Sequence, residues 1–146
     1  MKTGINGIAL IKQFEGCRLE AYKDSAGIPT IAYGNTYYPD GTKVKIGDKI
    51  TQQRSEELLQ VLLPRYEKIV LNAIKVPLTQ NQFDALVCFC WNTGGSNTLF
   101  GLINARAENK IVADWWSSHY VMAGGKLLKG LQLRRIAESN LFTKLA

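Results

Sequence analysis

Phe14-Glu15-Gly16-Cys17-Arg18-Leu19-Glu20-Ala21-Tyr22-Lys23-Asp24-Ser25-Ala26-Gly27-Ile28-Pro29-Thr30-Ile31 is the stretch in which the apolar period of the chain changes. Upstream of it, Ile8, Ile11 and Phe14 recur every three residues with Leu10 alongside, which is the spacing of one helix face. Gly16 suits the left-handed turn that closes a helix, so a first helix is predicted from about residue 4 to 15. Downstream, Leu19, Tyr22, Ile28, Ile31, Tyr33, Tyr37 and Tyr38 lie among Asp24-Ser25-Ala26-Gly27, Pro29, Gly34 and Pro39-Asp40-Gly41. β-Branched and aromatic runs between turn residues predict short antiparallel strands from Arg18 to Val44.

Beyond that front, the pattern is helical. Thr51 is placed to cap a second helix with apolar positions from Leu58 to Ile74, and Pro64 is expected to bend or break it. Thr79 with Gln82 three residues later forms a capping box for a helix through Ala85, Leu86, Phe89 and Cys90, closed by Gly94-Gly95. Shorter helices are predicted over about 98–106 and 110–119, and a last one over about 131–141. A small sheet in front with helices behind makes an α+β protein, mainly helical, with a small antiparallel sheet in its N-terminal lobe. The 146 residues fit a single domain. A β-containing lobe is expected over about 16–60, and a helical lobe over about 61–146 joined by the N-terminal helix.

Lysine and arginine outnumber acidic residues by 18 to 12, a net charge of +6 that favours an anionic partner. Nucleic acid, an anionic membrane and the acidic cell envelope all fit that balance, and charge alone does not choose among them. Three cysteines cannot all pair within one chain, and Cys88 and Cys90 fall on opposite sides of their predicted helix, so all three are read as free thiols. The run Ile5 to Ile11 is short and interrupted by Asn6, a poor signal peptide, and no segment approaches a membrane span of ~20 apolar residues. His119 is the one histidine and there is no Cys-x-x-Cys pair, which argues against a zinc enzyme; no metal and no cofactor are expected.

What remains are carboxylates near turns and helix ends. Glycoside hydrolysis generally needs one carboxylic acid to protonate the leaving oxygen and a second group to orient water or stabilise positive charge on the sugar. Glu15 ends a helix beside Phe14 and Ile11, apolar neighbours that are expected to limit its hydration, as suits a proton donor. Asp24 opens a turn, where a wetter carboxyl is expected to be ionised, and Thr30 offers a hydroxyl that binds water without ionising. Read from chemistry alone, a Glu at a helix end and an Asp in a turn are commonplace.

Glu15, eight intervening residues, Asp24, five intervening residues and Thr30 nevertheless resemble the catalytic spacing of the phage-type lysozymes, glycoside hydrolase family 24. Phe14-Glu15-Gly16, Ala21-Tyr22-Lys23-Asp24 and Ile28-Pro29-Thr30-Ile31 are similar to that family's front. Val76-Pro77-Leu78-Thr79-Gln80-Asn81-Gln82-Phe83-Asp84-Ala85-Leu86 is similar to its middle. Asn92-Thr93-Gly94, and Gly130-Leu131 with Arg134-Arg135 and Glu138, resemble its later signatures.

The resemblance implies a lysozyme-like fold and cleavage of the β-1,4 bond between N-acetylmuramic acid and N-acetylglucosamine in bacterial peptidoglycan. It implies Glu15 as general acid, with Asp24 and Thr30 handling water and charge in an inverting reaction. It further implies a monomer without specific nucleic-acid partners, held in the host cytoplasm until a holin gives access to the wall. Thr36, Trp91 and Thr98 stand beside the motifs where family members line the substrate cleft, although for Trp91 a core tryptophan is the favoured reading. Of the consecutive Trp115 and Trp116, at most one can face fully inward. Arg134 and Arg135 either reach Glu15 or the glycan, or form a solvent-facing pair with Glu138.

The chain departs from the family in reading Thr30-Ile31-Ala32-Tyr33-Gly34-Asn35, where Thr-Ile-Gly, a variable residue and Gly-His are usual. Asn35 carries no imidazolium charge, and Ala32 is strained if its position needs positive φ. A catalytically inactive wall-binding or nucleic-acid-binding module of the same fold is the rival reading. The intact Glu15, Asp24 and Thr30 argue against the former, and the lack of a basic helix face against the latter.

Overall fold

The computed structural model describes residues 1–144 and divides into two compact units, Ile11–Pro64 and Met1–Leu10 with Arg65–Ala146. The first helix, α1, covers Ile5–Glu15, so its opening turns belong to one unit and its end to the other.

In the unit Ile11–Pro64, β1 (Arg18–Lys23) runs antiparallel to β2 (Pro29–Ala32), with Tyr22 opposite Thr30 and Arg18 opposite Ala32. An irregularity separates those two pairs. Ala21 N–H donates to Asp48 O and Ile50 N–H to Leu19 O, each at 2.9 Å, which lays the segment before Thr51 along the other edge of β1. Thr51 caps α2 as expected, its Oγ1 accepting from Arg54 N–H at 3.1 Å. Helix α2 spans Gln52–Ala73, so Pro64 does not break it. Proline removes one ladder bond and crowds the preceding turn at a cost of about 3 kcal/mol. Leu58, Leu59 and Leu63 before it and Val70 after it are buried, and full burial is worth ~1.5–3 kcal/mol per such side chain, so packing outweighs the defect.

The other unit is helical, with α3 (Gln80–Thr93), α4 (Asn97–Asn104), α5 (Asn109–Ser118) and α6 (Lys129–Thr143). Phe83 to Trp91 of α3 are buried without interruption, as for a helix enclosed on all sides, and α6 packs against both α3 and α5. The Thr79–Gln82 capping box forms reciprocally, and Gly94 ends α3 in the left-handed region. Cys88 and Cys90 are fully buried free thiols, while Cys17 is a half-buried one. Burial pushes the Cys90 thiol to about 12 and the Cys88 thiol well above its ordinary value.

Trp116 is fully buried against Phe89 and Phe142, whereas Trp115 is half-exposed and stacks on His119 at 4.2 Å. Thus one of the two consecutive tryptophans faces inward, in keeping with their spacing. A second hairpin, β3 (Met122–Ala123) with β4 (Lys126–Leu127), precedes α6 around Gly124-Gly125.

The start of α1 is capped from a distance. Asp84 of α3 is buried, and its two carboxylate oxygens accept from Gly4 N–H at 2.8 Å and Gly7 N–H at 3.1 Å. This satisfies orphan donors of the first turn. Gly7 has to be glycine for that approach, since a Cβ there would lie 2.8 Å from the Asp84 Cβ.

Candidate active site

Glu15 is the last residue of α1, half-buried, and Gly16 leaves the helix at φ +66°. The last turn is fastened to α2 by Lys12, whose ammonium lies 2.6 Å from Glu56. Gln52 also donates to Glu56 at 3.1 Å. The hydrogen bond from Lys12 holds the Glu56 carboxyl below its usual range, and the same bond raises Lys12. Burial raises the neighbouring Tyr33 phenol, with Cys17 adding to the effect. No local signal in the sequence marks this group, because Lys12 and Glu56 are far apart in the chain and each looks like an ordinary surface charge.

Asp24 sits where β1 turns toward β2. Its Oδ1 accepts from Ala26 N–H at 2.8 Å and Ile28 N–H at 2.9 Å, and its own N–H donates to Ile28 O at 3.0 Å. These bonds close the turn around the carboxylate and fix its direction. Thr30 is buried, and its Oγ1 donates to Ile28 O at 2.9 Å. With its proton committed, the hydroxyl oxygen presents lone pairs. Asp24 and Thr30 thus both anchor on Ile28, at one end of the β1–β2 hairpin.

The two departures from the family pattern both lie beside this hairpin. Ala32 has φ +58° and is buried, so the position does require the left-handed region, and a non-glycine residue occupies it with strain. Asn35 is buried, donates from Nδ2 to Leu58 O at 3.1 Å, and leaves Oδ1 without a hydrogen-bond partner.

Of the residues expected to line a cleft, Thr36 is half-buried and borders a recess of about 400 Å³ in the same unit as Asp24 and Thr30. Trp91 and Thr98 belong to the other unit. Trp91 is 9 % exposed, packed against Tyr66 with ring centroids 4.8 Å apart, while Thr98 is exposed in the first turn of α4.

A solvent-facing Arg134, Arg135 and Glu138 is not what the structure contains. All three are buried. Glu138 receives Arg134 Nε at 3.1 Å, Arg135 Nη2 at 3.2 Å and Trp116 Nε1 at 3.1 Å, while Arg134 Nη2 donates to Cys88 O and Arg135 Nη2 to Asn92 Oδ1. Spacing of three and four residues suits a surface pair as well as a buried one, and only the packing of α6 on α3 decides between them. Among the described residues, no group of three or more His, Cys, Asp or Glu side chains is arranged to hold a metal ion, and no helix is long and apolar enough to cross a membrane.

The family described as phage lysozyme matches residues 12–138, nearly the whole chain. This chain belongs to it. The chain is similar to the endolysin of Salmonella phage P22, 46 % identical over 96 residues, which is 66 % of each chain. It is also similar to the endolysin of Acyrthosiphon pisum secondary endosymbiont phage 1, 37 % identical over 97 % of this chain and 98 % of that one. The crystal structure of a mutant P22 lysozyme superposes with a TM-score of 0.87 at 36 % identity, covering 99 % of both chains. The fold is therefore lysozyme-like, mostly helical with a small antiparallel sheet, and the chain is an enzyme of the phage lysozyme class.

Proposed function

We infer that this phage lysozyme is an endolysin that hydrolyses the β-1,4 bond between N-acetylmuramic acid and N-acetylglucosamine in bacterial peptidoglycan, with inversion at the anomeric carbon. Both compact units form one catalytic domain, acting as a monomer from the host cytoplasm once a holin opens the inner membrane. The observation that carries the reading is the shared anchoring of Asp24 and Thr30 on Ile28. A carboxylate held by two backbone N–H groups and a hydroxyl oxygen with its proton committed are both acceptors, the arrangement that orients an attacking water and takes its proton.

In this mechanism Glu15 protonates the glycosidic oxygen as the bond to carbon breaks. Asp24 and Thr30 hold the water on the opposite face of the sugar, and Asp24 opposes the positive charge that develops on the ring. Water needs room in an inverting site, so the Glu15 and Asp24 carboxyls are expected roughly 6.5–9.5 Å apart. Thr36 and Thr98 contact the glycan through their hydroxyls. Trp91 offers too little exposed ring to stack a pyranose and instead backs Tyr66.

Glu15→Gln tests the assignment, since the amide keeps the shape of the acid without a proton to give. Lysis of permeabilised bacteria is expected to fall by about 10²–10⁴ with the fold intact by circular dichroism. A folded Glu15→Gln protein within tenfold of wild type removes Glu15 as the acid, and a β-anomer as first product in time-resolved NMR excludes inversion.

A further inference from the structure

Glu15 stands at the very end of α1, and helix ends are the parts that fray first. A carboxyl there follows any loosening of the last turn, and misplacing a reacting group by about 1 Å costs on the order of 10²-fold in rate. Two bonds made by Lys12, one turn before Glu15, restrain that turn. Its carbonyl oxygen accepts from Gly16 N–H at 3.1 Å, and its ammonium lies 2.6 Å from Glu56 on α2. The α2 side is itself fixed. Thr51 Oγ1 caps that helix, Ser55 Oγ donates to Gln52 O at 2.6 Å, and Gln52 Nε2 donates to the second oxygen of Glu56 at 3.1 Å. Tyr33, buried just after β2, hydrogen-bonds to Gln52 and Cys17 and so brings a third segment into the cluster. All of these residues belong to the unit Ile11–Pro64.

We propose that Lys12 and Glu56 are positioning residues for Glu15, tying the last turn of α1 to the opening turns of α2 so that the acid's carboxyl keeps its place at the glycosidic oxygen. The inference rests on the reading of Glu15 as general acid. A pair whose side chains are 35 % and 40 % exposed contributes little to overall stability, because water screens it and two long side chains lose freedom in making it. What it fixes is direction. Gly16 follows Glu15 at φ +66° with the backbone freedom of glycine, so the chain beyond the helix does little to stop the last turn from unwinding. The cation of Lys12 also complements the dipole at that end of α1. Loss of the pair therefore shows in the step that uses the proton of Glu15 rather than in the binding of substrate.

The test follows kcat, KM and the urea midpoint of the whole chain on soluble glycan strands. Lys12→Gln and Glu56→Gln are each expected to lower kcat about tenfold, with KM within twofold and the urea midpoint nearly unchanged. The first removes a positive charge from the chain and the second a negative one, so opposite changes in rate would mark long-range attraction to the substrate and overturn the proposal. Lys12→Glu combined with Glu56→Lys rebuilds the pair at unchanged net charge and brings kcat back to within threefold of wild type, as Lys12→Arg does alone. Arg54→Gln, which breaks an exposed pair with Glu57 on α2, leaves kcat within twofold. In a Glu15→Gln background, Lys12→Gln costs nothing further, since no acid is left to place. An undiminished tenfold loss in that background, no recovery in the exchanged pair, or a fall in urea midpoint that accounts for the lost rate overturns the proposal. A Glu15→Gln protein within tenfold of wild type removes the acid assignment itself, and with it anything for Lys12 to place.

Discussion

Thr30 gives its hydroxyl proton to the carbonyl oxygen of Ile28, 2.9 Å away. What the side chain then offers is an acceptor, and its replacement by valine keeps the shape and removes that oxygen. Thr30→Val is expected to lower lytic activity about 10²-fold and stability by about 1 kcal/mol, while Thr30→Ser stays within tenfold of wild type. Equal losses in the two variants, measured by clearing of permeabilised cells, would assign the effect to the packing of the methyl group.

Ala32 holds a buried left-handed backbone at φ +58°. Glycine relieves roughly 1–2 kcal/mol of steric cost and gives up about 0.8 kcal/mol of buried methyl. Ala32→Gly is therefore expected to stabilise the fold by about 0.5–1 kcal/mol, read as a higher urea midpoint with unchanged slope. A lower midpoint would mean that the methyl group matters more than the strain.

Gly7 presents the opposite case. Within a helix, alanine ordinarily improves on glycine by about 0.5–1 kcal/mol. Here the added Cβ meets Thr3 Cγ2 at 2.7 Å and Asp84 Cβ at 2.8 Å, so Gly7→Ala is expected to destabilise by about 1–3 kcal/mol. Thermal unfolding gives the sign directly, and a stabilised variant would refute the role assigned to Asp84 at the start of α1.

Tyr38 donates its phenol proton to Asp48 Oδ2 at 2.7 Å. Burial, followed by that hydrogen bond and the Asp48 charge, pushes the phenol to about 12 from an ordinary 10.0. Between those values the unfolded chain has released the proton and the folded chain keeps it. Stability contributed by Tyr38 is thus complete below pH 10.0 and lost as pH rises toward about 12. Asp48 works in the other direction. Hydrogen bonds from the Lys45 backbone and Tyr38 lower its carboxyl, so its contribution is present above the ordinary carboxylate range and fades as pH falls through its lowered value. Tyr38→Phe is expected to flatten the alkaline limb of urea stability against pH, and an unchanged limb would exclude this pair as its source.

The features legible in the sequence are those made by residues close together in the chain. Thr79 with Gln82, Thr51 before Arg54, and Asp24 at its turn each satisfy backbone donors within a few positions, so their residue types announce them. The contacts that were not legible join distant segments. Asp84 caps a helix some eighty positions earlier, and Lys12 finds Glu56. Glu138 is enclosed by Trp116 and two arginines, and Pro64 is tolerated because apolar neighbours hold the helix on both sides. In the candidate site, Asp24 and Thr30 were readable through the spacing of the resemblance. The recess beside Thr36 was not, since it depends on the pairing of Tyr37 with Lys43 and hence on where their hairpin turns at Gly41.

The division of the thiols gives the enzyme a built-in reporter. Cys17, half-buried and two positions beyond Glu15, is the one thiol a maleimide can reach while the chain stays folded. Cys88 and Cys90 are enclosed and held as unreactive thiols, so each joins the reaction only when its surroundings open. Reagent uptake then separates in time. The prompt step marks the neighbourhood of Glu15, and the slow steps measure how often the interior of α3 breathes, so a dye placed without mutagenesis can watch substrate arrive while the remaining thiols clock excursions of the core.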